Sequence, residues 1–154
     1  MVLTSEEVSR FTEQAFDPKT GHLRREFAGQ SAGHVARATG VEQHEPSICL
    51  IVAPVTLDAI EGPYGREKLA PVLSFSPSME REEGLAACKK LLDNEGPGHT
   101  AIIHTRSSKL VERFGSEILA SRILVNAGVH RYRQRANGLT HARLRHPRRH
   151  LYDR

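Results

Sequence analysis

Few residues of this chain could do chemistry, and their neighbours decide what each can do. Glu67 stands in a polar stretch, YGREKLAPVLSF (64–75), that runs into an apolar, β-branched segment. An acceptor-only carboxylate there can take hydrogen bonds from hydroxyl groups or simply face water. The local pattern alone favours a solvated surface carboxylate. Gly96-Pro97-Gly98-His99-Thr100 reads as a helix stop and a tight turn into a strand, with His99 capping or satisfying a backbone group. A general-base role for His99 needs a nucleophile or carboxylate partner, and the spacing nominates none. His104 falls at a strand end, partly exposed. Cys49 lies in an apolar, strand-like run and Cys88 in a helix-like run beside Lys89 and Lys90. A reactive thiol needs an electropositive, accessible setting, and adjacent helix positions do not face one another. Both cysteines are therefore expected in the core or half-buried, and no catalytic residue is assigned. There is no CxxC, no glycine-rich phosphate loop and no Walker sequence. His146 and His150 are spaced i,i+4, but Pro147 between them argues against a preformed helical metal site that His141 could join. No metal ligands are assigned.

The elements that must position these residues read as α/β. Residues 4–16 form a helix capped by Thr4 or Ser5, with Glu6 and Glu7 at its positive end and Val8, Phe11 and Phe16 on one face. Asp17-Pro18 to Gly21 is a turn, and residues 28–38 form a second helix stopped by Gly40. SICLIVAPV (47–55) is a continuous apolar run of strand length, expected to be buried. A loop rich in Gly and Pro covers 56–66, and PVLSFS (71–76) is another strand, which Pro71 can open. Pro77-Ser78 opens a helix over 78–93. GHTAIIHT (98–105) and SRILVN (121–126) then bracket an amphipathic segment with Leu110, Val111, Phe114 and Ile118 on one face. That block has βαβ spacing and implies a mostly parallel sheet with flanking helices.

Length and charge set further bounds. At 154 residues one ordinary domain is expected, and no apolar run is long enough to span a membrane. MVLTSEEVSRF carries no basic or apolar leader pattern, so a cytoplasmic location is expected. Residues 129–154 hold eight arginines, no lysine and one aspartate, a net charge of +7. The preceding 128 residues hold 14 basic and 17 acidic groups, a net of −3. Body and tail are different materials, and residues 128–154 read as a basic, irregular tail.

Two blocks of this sequence, in this order, carry a family resemblance. Glu67-Lys68-Leu69-Ala70-Pro71-Val72-Leu73, followed by the GHT-strand-helix-RILVN block, resembles the CoA-acylating aldehyde dehydrogenases, which include acetaldehyde and sulfoacetaldehyde dehydrogenases. The resemblance covers residues 1–127 and implies part of an aldehyde dehydrogenase catalytic domain. It implies that Glu67 accepts hydrogen bonds from a ribose of the nicotinamide cofactor and that Leu69 packs beside the nicotinamide. It implies NAD(P) and CoA as cofactors, and an NAD(P)-dependent reaction of aldehyde with CoA to give acyl-CoA. The family's nucleophilic cysteine lies upstream of the matched blocks, and its cofactor domain and Gly-rich ending are not matched. The 154 residues are thus expected to be a C-terminal fragment, inactive alone and without tight cofactor binding. A complementary chain or an oligomer would be its partner.

After SRILVN the family continues in small Ser, Thr and Gly residues, whereas this chain gives Ala127-Gly128-Val129-His130-Arg131. One permitted back-translation of 141–154, read one nucleotide later, yields a Gly-rich stretch like the family's ending. A frameshift would account for an Arg-rich, Lys-free tail. The coding DNA checks this: shifted by one base after codon 127, it should restore a family-like ending. A second reading makes the tail a nucleic-acid arm with Tyr132 and Tyr152 for stacking. The body gives no such signal, and nucleic acid is the disfavoured partner.

Overall fold

The computed structural model describes residues 1–41, 48–78 and 80–127. The basic tail, with Tyr132, His141, His146, His150 and Tyr152, lies outside the described residues, as do Ser47 and Met79. The described residues divide into two compact units, one from Met1 to His99 and one beginning at Thr100.

The first unit opens with α1, Ser5–Ala15. Its start is fixed locally by a capping box. The Glu7 N–H donates to Thr4 Oγ1 at 3.3 Å, and the Thr4 N–H donates back to the Glu7 carboxylate at 2.7 Å. Phe11 and Ala15 on one face are fully buried, and Phe16 ends the helix against them. Asp17 makes the expected turn, accepting the Lys19 and Thr20 N–H groups at 2.8 and 3.0 Å. These bonds hold its carboxyl below the usual carboxylate range.

The second helix is shorter than expected. A 3-10 turn takes Arg25–Phe27, Gly29 has a positive φ of 74°, and α2 spans only Ala32–Ala38. The left-handed glycine breaks the helix that the composition of 28–38 suggests, and Ser31 caps the remainder by accepting the His34 N–H at 3.2 Å. Gly40 stops α2 as expected, with φ 66°.

The strand expected over 47–55 is also shorter. β1 is Ile51–Pro54, paired in parallel with β2, Val72–Phe75, in the register Ile51 to Val72 through Pro54 to Phe75. Cys49 and Leu50 lie before the ladder and are exposed, which corrects the expectation that Cys49 is buried or half-buried. The Leu50 carbonyl instead accepts the amino terminus at 2.8 Å. Met1–Leu3 runs beside the other edge of β1, through a bridge from Val2 to Val52. Ile51, Ala53 and Val72 face the core with Phe11, Phe16 and Val35. On the other face Leu73 and Phe75 are 47% and 55% exposed, and Val2 is 65% exposed.

Two 3-10 turns, Leu57–Glu61 and Pro63–Gly65, join β1 to β2 in place of an α-helix. α3 is Arg81–Glu95, displaced from the expected 78–93. Ser78 does not cap it; its hydroxyl donates to the Glu80 carbonyl and to the Glu83 carboxylate. Gly96 ends α3 at φ 87°, as expected, and Cys88 on the helix is half-buried. Gly98 has no positive φ, so the turn into the next strand needs no special backbone there.

The second unit contains the βαβ block almost as read. β3 is Thr100–Ile103, α4 is Ser108–Glu117 and β4 is Arg122–Val125, with the strands parallel. Ser107 caps α4 by accepting the Leu110 N–H at 3.2 Å. Phe114 and Ile118 are buried on its apolar face. Asn126 closes the carboxyl end of the pair. It adopts φ 51°, accepts the Thr105 N–H at 2.9 Å and donates to the Thr105 carbonyl at 2.8 Å. Asparagine tolerates this left-handed backbone better than most residues. Asn126→Ala removes both bonds and keeps the strain, and should destabilise this unit by about 2–3 kcal/mol. Asn126→Gly should lose less. Denaturant unfolding of the two variants checks the order; equal losses would contradict a role for the backbone conformation.

Candidate functional site

Residues 64–71 form a loop held at many points, all inside the first unit. Its root is Tyr64. The buried ring packs edge-on to Phe16, centroids 5.3 Å apart. The hydroxyl lies 2.7 Å from Thr12 Oγ1 and donates to the Val8 carbonyl at 3.2 Å, both on α1. Burial raises the phenol pKa above its ordinary value, and the Thr12 bond offsets part of that rise. Gly65 follows where no side chain fits: a Cβ there would lie 1.8 Å from the Ile60 carbonyl oxygen. The position requires glycine for close backbone approach, with no positive φ involved.

Beyond Gly65 the side chains diverge. Arg66 pairs with Glu95 at the end of α3, Nη1 to Oε1 at 3.1 Å. Glu67 is exposed, and its N–H donates to Glu95 Oε2 at 3.2 Å. Lys68 turns inward and donates to the carbonyls of Tyr64 and Arg66 at 2.8 and 2.7 Å. Leu69 turns out, 64% exposed, while its carbonyl accepts the Gly29 N–H at 2.7 Å. Pro71 opens the strand as expected, its carbonyl accepting the Ile51 N–H at 2.9 Å. Ser74 of β2 donates back to the Tyr64 carbonyl at 2.8 Å.

The electrostatics follow from this packing. Burial pulls the Lys68 ammonium down to about 8, although Glu95 pulls the other way. Burial works against a charged Glu95, but hydrogen bonds from Arg66 and the Glu67 N–H, with the Arg66 and His22 charges, outweigh it and lower its pKa. Lys90 forms an ion pair with Glu61, a second tie between α3 and the loop region.

The two site residues nominated from sequence therefore share one short, anchored segment, and both are exposed. A carboxylate and an apolar side chain two residues apart on an immobilised backbone can offer a hydroxyl acceptor and an apolar contact to one ligand. Sequence reasoning missed Tyr64, Arg66, Lys68 and Glu95. Glu95 had left one signal: an acidic residue in the last turn of a helix opposes the dipole, so it needs a cation or a donor nearby. Among the described residues no cluster of three or more His, Cys, Asp or Glu could hold a metal, and no helix is long and apolar enough to cross a membrane.

Parallel strand pairs with flanking helices make this a partial α/β domain. The relatives and structural neighbours of the chain are aldehyde dehydrogenases and aldehyde-alcohol dehydrogenases, acylating members among them, the family that the EKLAPVL and RILVN blocks resemble. The sulfoacetaldehyde dehydrogenase of an Acholeplasma species is 35% identical over 97 residues, 63% of this chain and 20% of its own length. The acetylating aldehyde dehydrogenase of Geobacillus thermoglucosidasius superposes with a TM-score of 0.73 at 32% identity, covering 83% of this chain and 28% of that structure. The chain thus spans between 12% and 28% of the length of the relatives and structures it matches. At 19% and 18% identity, an engineered glycolyl-CoA reductase and the Rhodopseudomonas palustris propionaldehyde dehydrogenase share the fold, with TM-scores of 0.65 and 0.68. Their structures hold NADP+ and CoA respectively. No protein-family model matches the sequence.

The Lys68 pKa has a consequence for stability. The unfolded chain holds that proton up to about 10.5 and the folded chain only to about 8. Between those values the unfolded state binds more protons, so this group makes stability rise with pH, and its full cost is present below about 8. Tyr64 acts the opposite way, because above about 10.0 the unfolded chain loses its phenol proton first. The urea midpoint should rise from pH 8 to 10 and fall beyond, and Lys68→Met should flatten the rise. A midpoint that declines throughout that window in the unsubstituted chain would contradict the burial of Lys68.

Proposed function

We propose that residues 1–127 are part of the catalytic domain of an NAD(P)-dependent, CoA-acylating aldehyde dehydrogenase of the cytoplasm. The observation that carries this reading is the outward display of Glu67 and Leu69 by an anchored loop, in a chain whose relatives are acylating aldehyde dehydrogenases. In that reaction NAD(P)+ takes the hydride of the aldehyde and CoA takes the acyl group. Glu67 supplies an acceptor for the nicotinamide ribose hydroxyls, and Leu69 supplies an apolar contact beside the ring. Binding by these two residues alone is weak, because they offer one edge of a nucleotide site. Neither Cys49 nor Cys88 serves as the nucleophile. Burial pushes the Cys88 thiol up, away from the thiolate, and the family's nucleophile lies upstream of the segment matched here, within which Cys49 stands.

The 154 residues by themselves do not turn over. Parallel sheets are ordinarily covered on both faces. The face of β1 and β2 that bears Leu73 and Phe75 is where the remainder of such a domain packs, on the same or a separate polypeptide. The tail from residue 128 is read as an out-of-frame ending of the same family.

The test supplies that remainder. The chain alone, given acetaldehyde, CoA and NAD+ or NADP+, should reduce no nucleotide. Mixed with the part of the Geobacillus enzyme that it does not match, it should restore CoA-dependent reduction. Glu67→Gln in that mixture should raise the nucleotide KM by about tenfold, the worth of one hydrogen bond to a charged group. Turnover by the chain alone at the rate of an intact enzyme would contradict the fragment reading. An unchanged KM in Glu67→Gln would remove the role given to Glu67.

A further inference from the structure

The peptide group between Arg66 and Glu67 is bound on both sides by charged side chains. Its carbonyl, that of Arg66, accepts the Lys68 ammonium at 2.7 Å. Its N–H, that of Glu67, donates to Glu95 Oε2 at 3.2 Å. Rotation of this plane would break at least one charge-assisted bond, and such bonds are the stronger kind. The plane sets the direction in which the Glu67 side chain leaves the backbone. Glu95 is well placed for the task, because its other oxygen is fixed by Arg66 and its side chain is only 17% exposed. Lys68 is held in turn by the Tyr64 carbonyl at 2.8 Å.

We propose that Glu95 and Lys68 are positioning residues that clamp the 66–67 peptide plane from opposite sides and so aim the Glu67 carboxylate at the nucleotide ribose. This rests on the reading of Glu67 as the cofactor contact. The clamp also explains why α3 ends in an acidic residue against its own dipole. Glu95 serves the loop, and Arg66 and the Glu67 N–H supply the positive partners that the helix end lacks.

The test reads the Glu67 amide by NMR in the full chain, with Glu95→Ala, Glu95→Gln and Lys68→Met. In Glu95→Ala the Glu67 amide should exchange with solvent at least tenfold faster and lose the downfield shift of a proton bonded to a carboxylate. Glu95→Gln keeps an acceptor oxygen and should recover part of both. Lys68→Met should move the Glu67 amide resonance through the other side of the same peptide. The amides of Gly29 and Leu3, bonded to the Leu69 and Val52 carbonyls, should keep their exchange rates in all three variants. A general loosening would move them too. An unchanged Glu67 amide in Glu95→Ala, or equal acceleration at Gly29 and Leu3, overturns the clamp. If the Glu67 amide responds as expected but Glu67→Gln leaves the nucleotide KM of the restored enzyme unchanged, the clamp stands and the cofactor reading falls.

Discussion

Tyr64 is the interaction on which the rest of the candidate site depends. Its ring closes the core against Phe16, its hydroxyl reaches α1, and its carbonyl receives both the Lys68 ammonium and the Ser74 hydroxyl. One residue thus joins the first helix, the loop and the second strand. A buried phenol without partners would be costly, and here Thr12 and the Val8 carbonyl satisfy it. Gly65 tightens the same point, because only a residue without a Cβ can pass the Ile60 carbonyl. Exposed side chains on a loop are ordinarily mobile and dilute as binding groups. Glu67 and Leu69 are exposed on a backbone whose neighbours are bonded at nearly every step, which lowers the cost of ordering them against a ligand.

What could be read from sequence divides along the range of the interactions. The start of α1 was legible because its cap at Thr4 and its acidic residues Glu6 and Glu7 fall within four residues, and the βαβ block because its helix is strongly amphipathic. The EKLAPVL and RILVN blocks carried the family. What failed was decided at a distance. The helix expected over 28–38 loses its first turn because Gly29 adopts a left-handed backbone and bonds the Leu69 carbonyl, forty residues away. The apolar run 47–55 starts its ladder only at Ile51, where Pro71 supplies the first partner, and so Cys49 is left outside. Glu67 and Leu69 could be nominated from a motif. Glu95 could not, because its part in the site exists only after α3 has folded back to Arg66.

The exposed face of the first strand pair fits the same account. Ile51, Ala53 and Val72 bury one side of β1 and β2, while Leu73 and Phe75 on the other remain open to solvent. An apolar strand left open in this way is an aggregation hazard unless something covers it. The site loop lies in the half of the unit that is closed, packed through Tyr64 onto α1. Its geometry therefore comes from residues within Met1–His99 and needs no cover on the open face.

Tyr64 builds this loop before any ligand arrives. Amide hydrogen exchange followed by mass spectrometry across residues 60–75, in the unsubstituted chain and in Tyr64→Ala, tests it most directly. Exchange over the segment should be slow in the unsubstituted chain and fast in Tyr64→Ala, with exchange over residues 108–117 of α4 unchanged. Fast exchange over the loop in the unsubstituted chain, or a loop still protected in Tyr64→Ala, would contradict it.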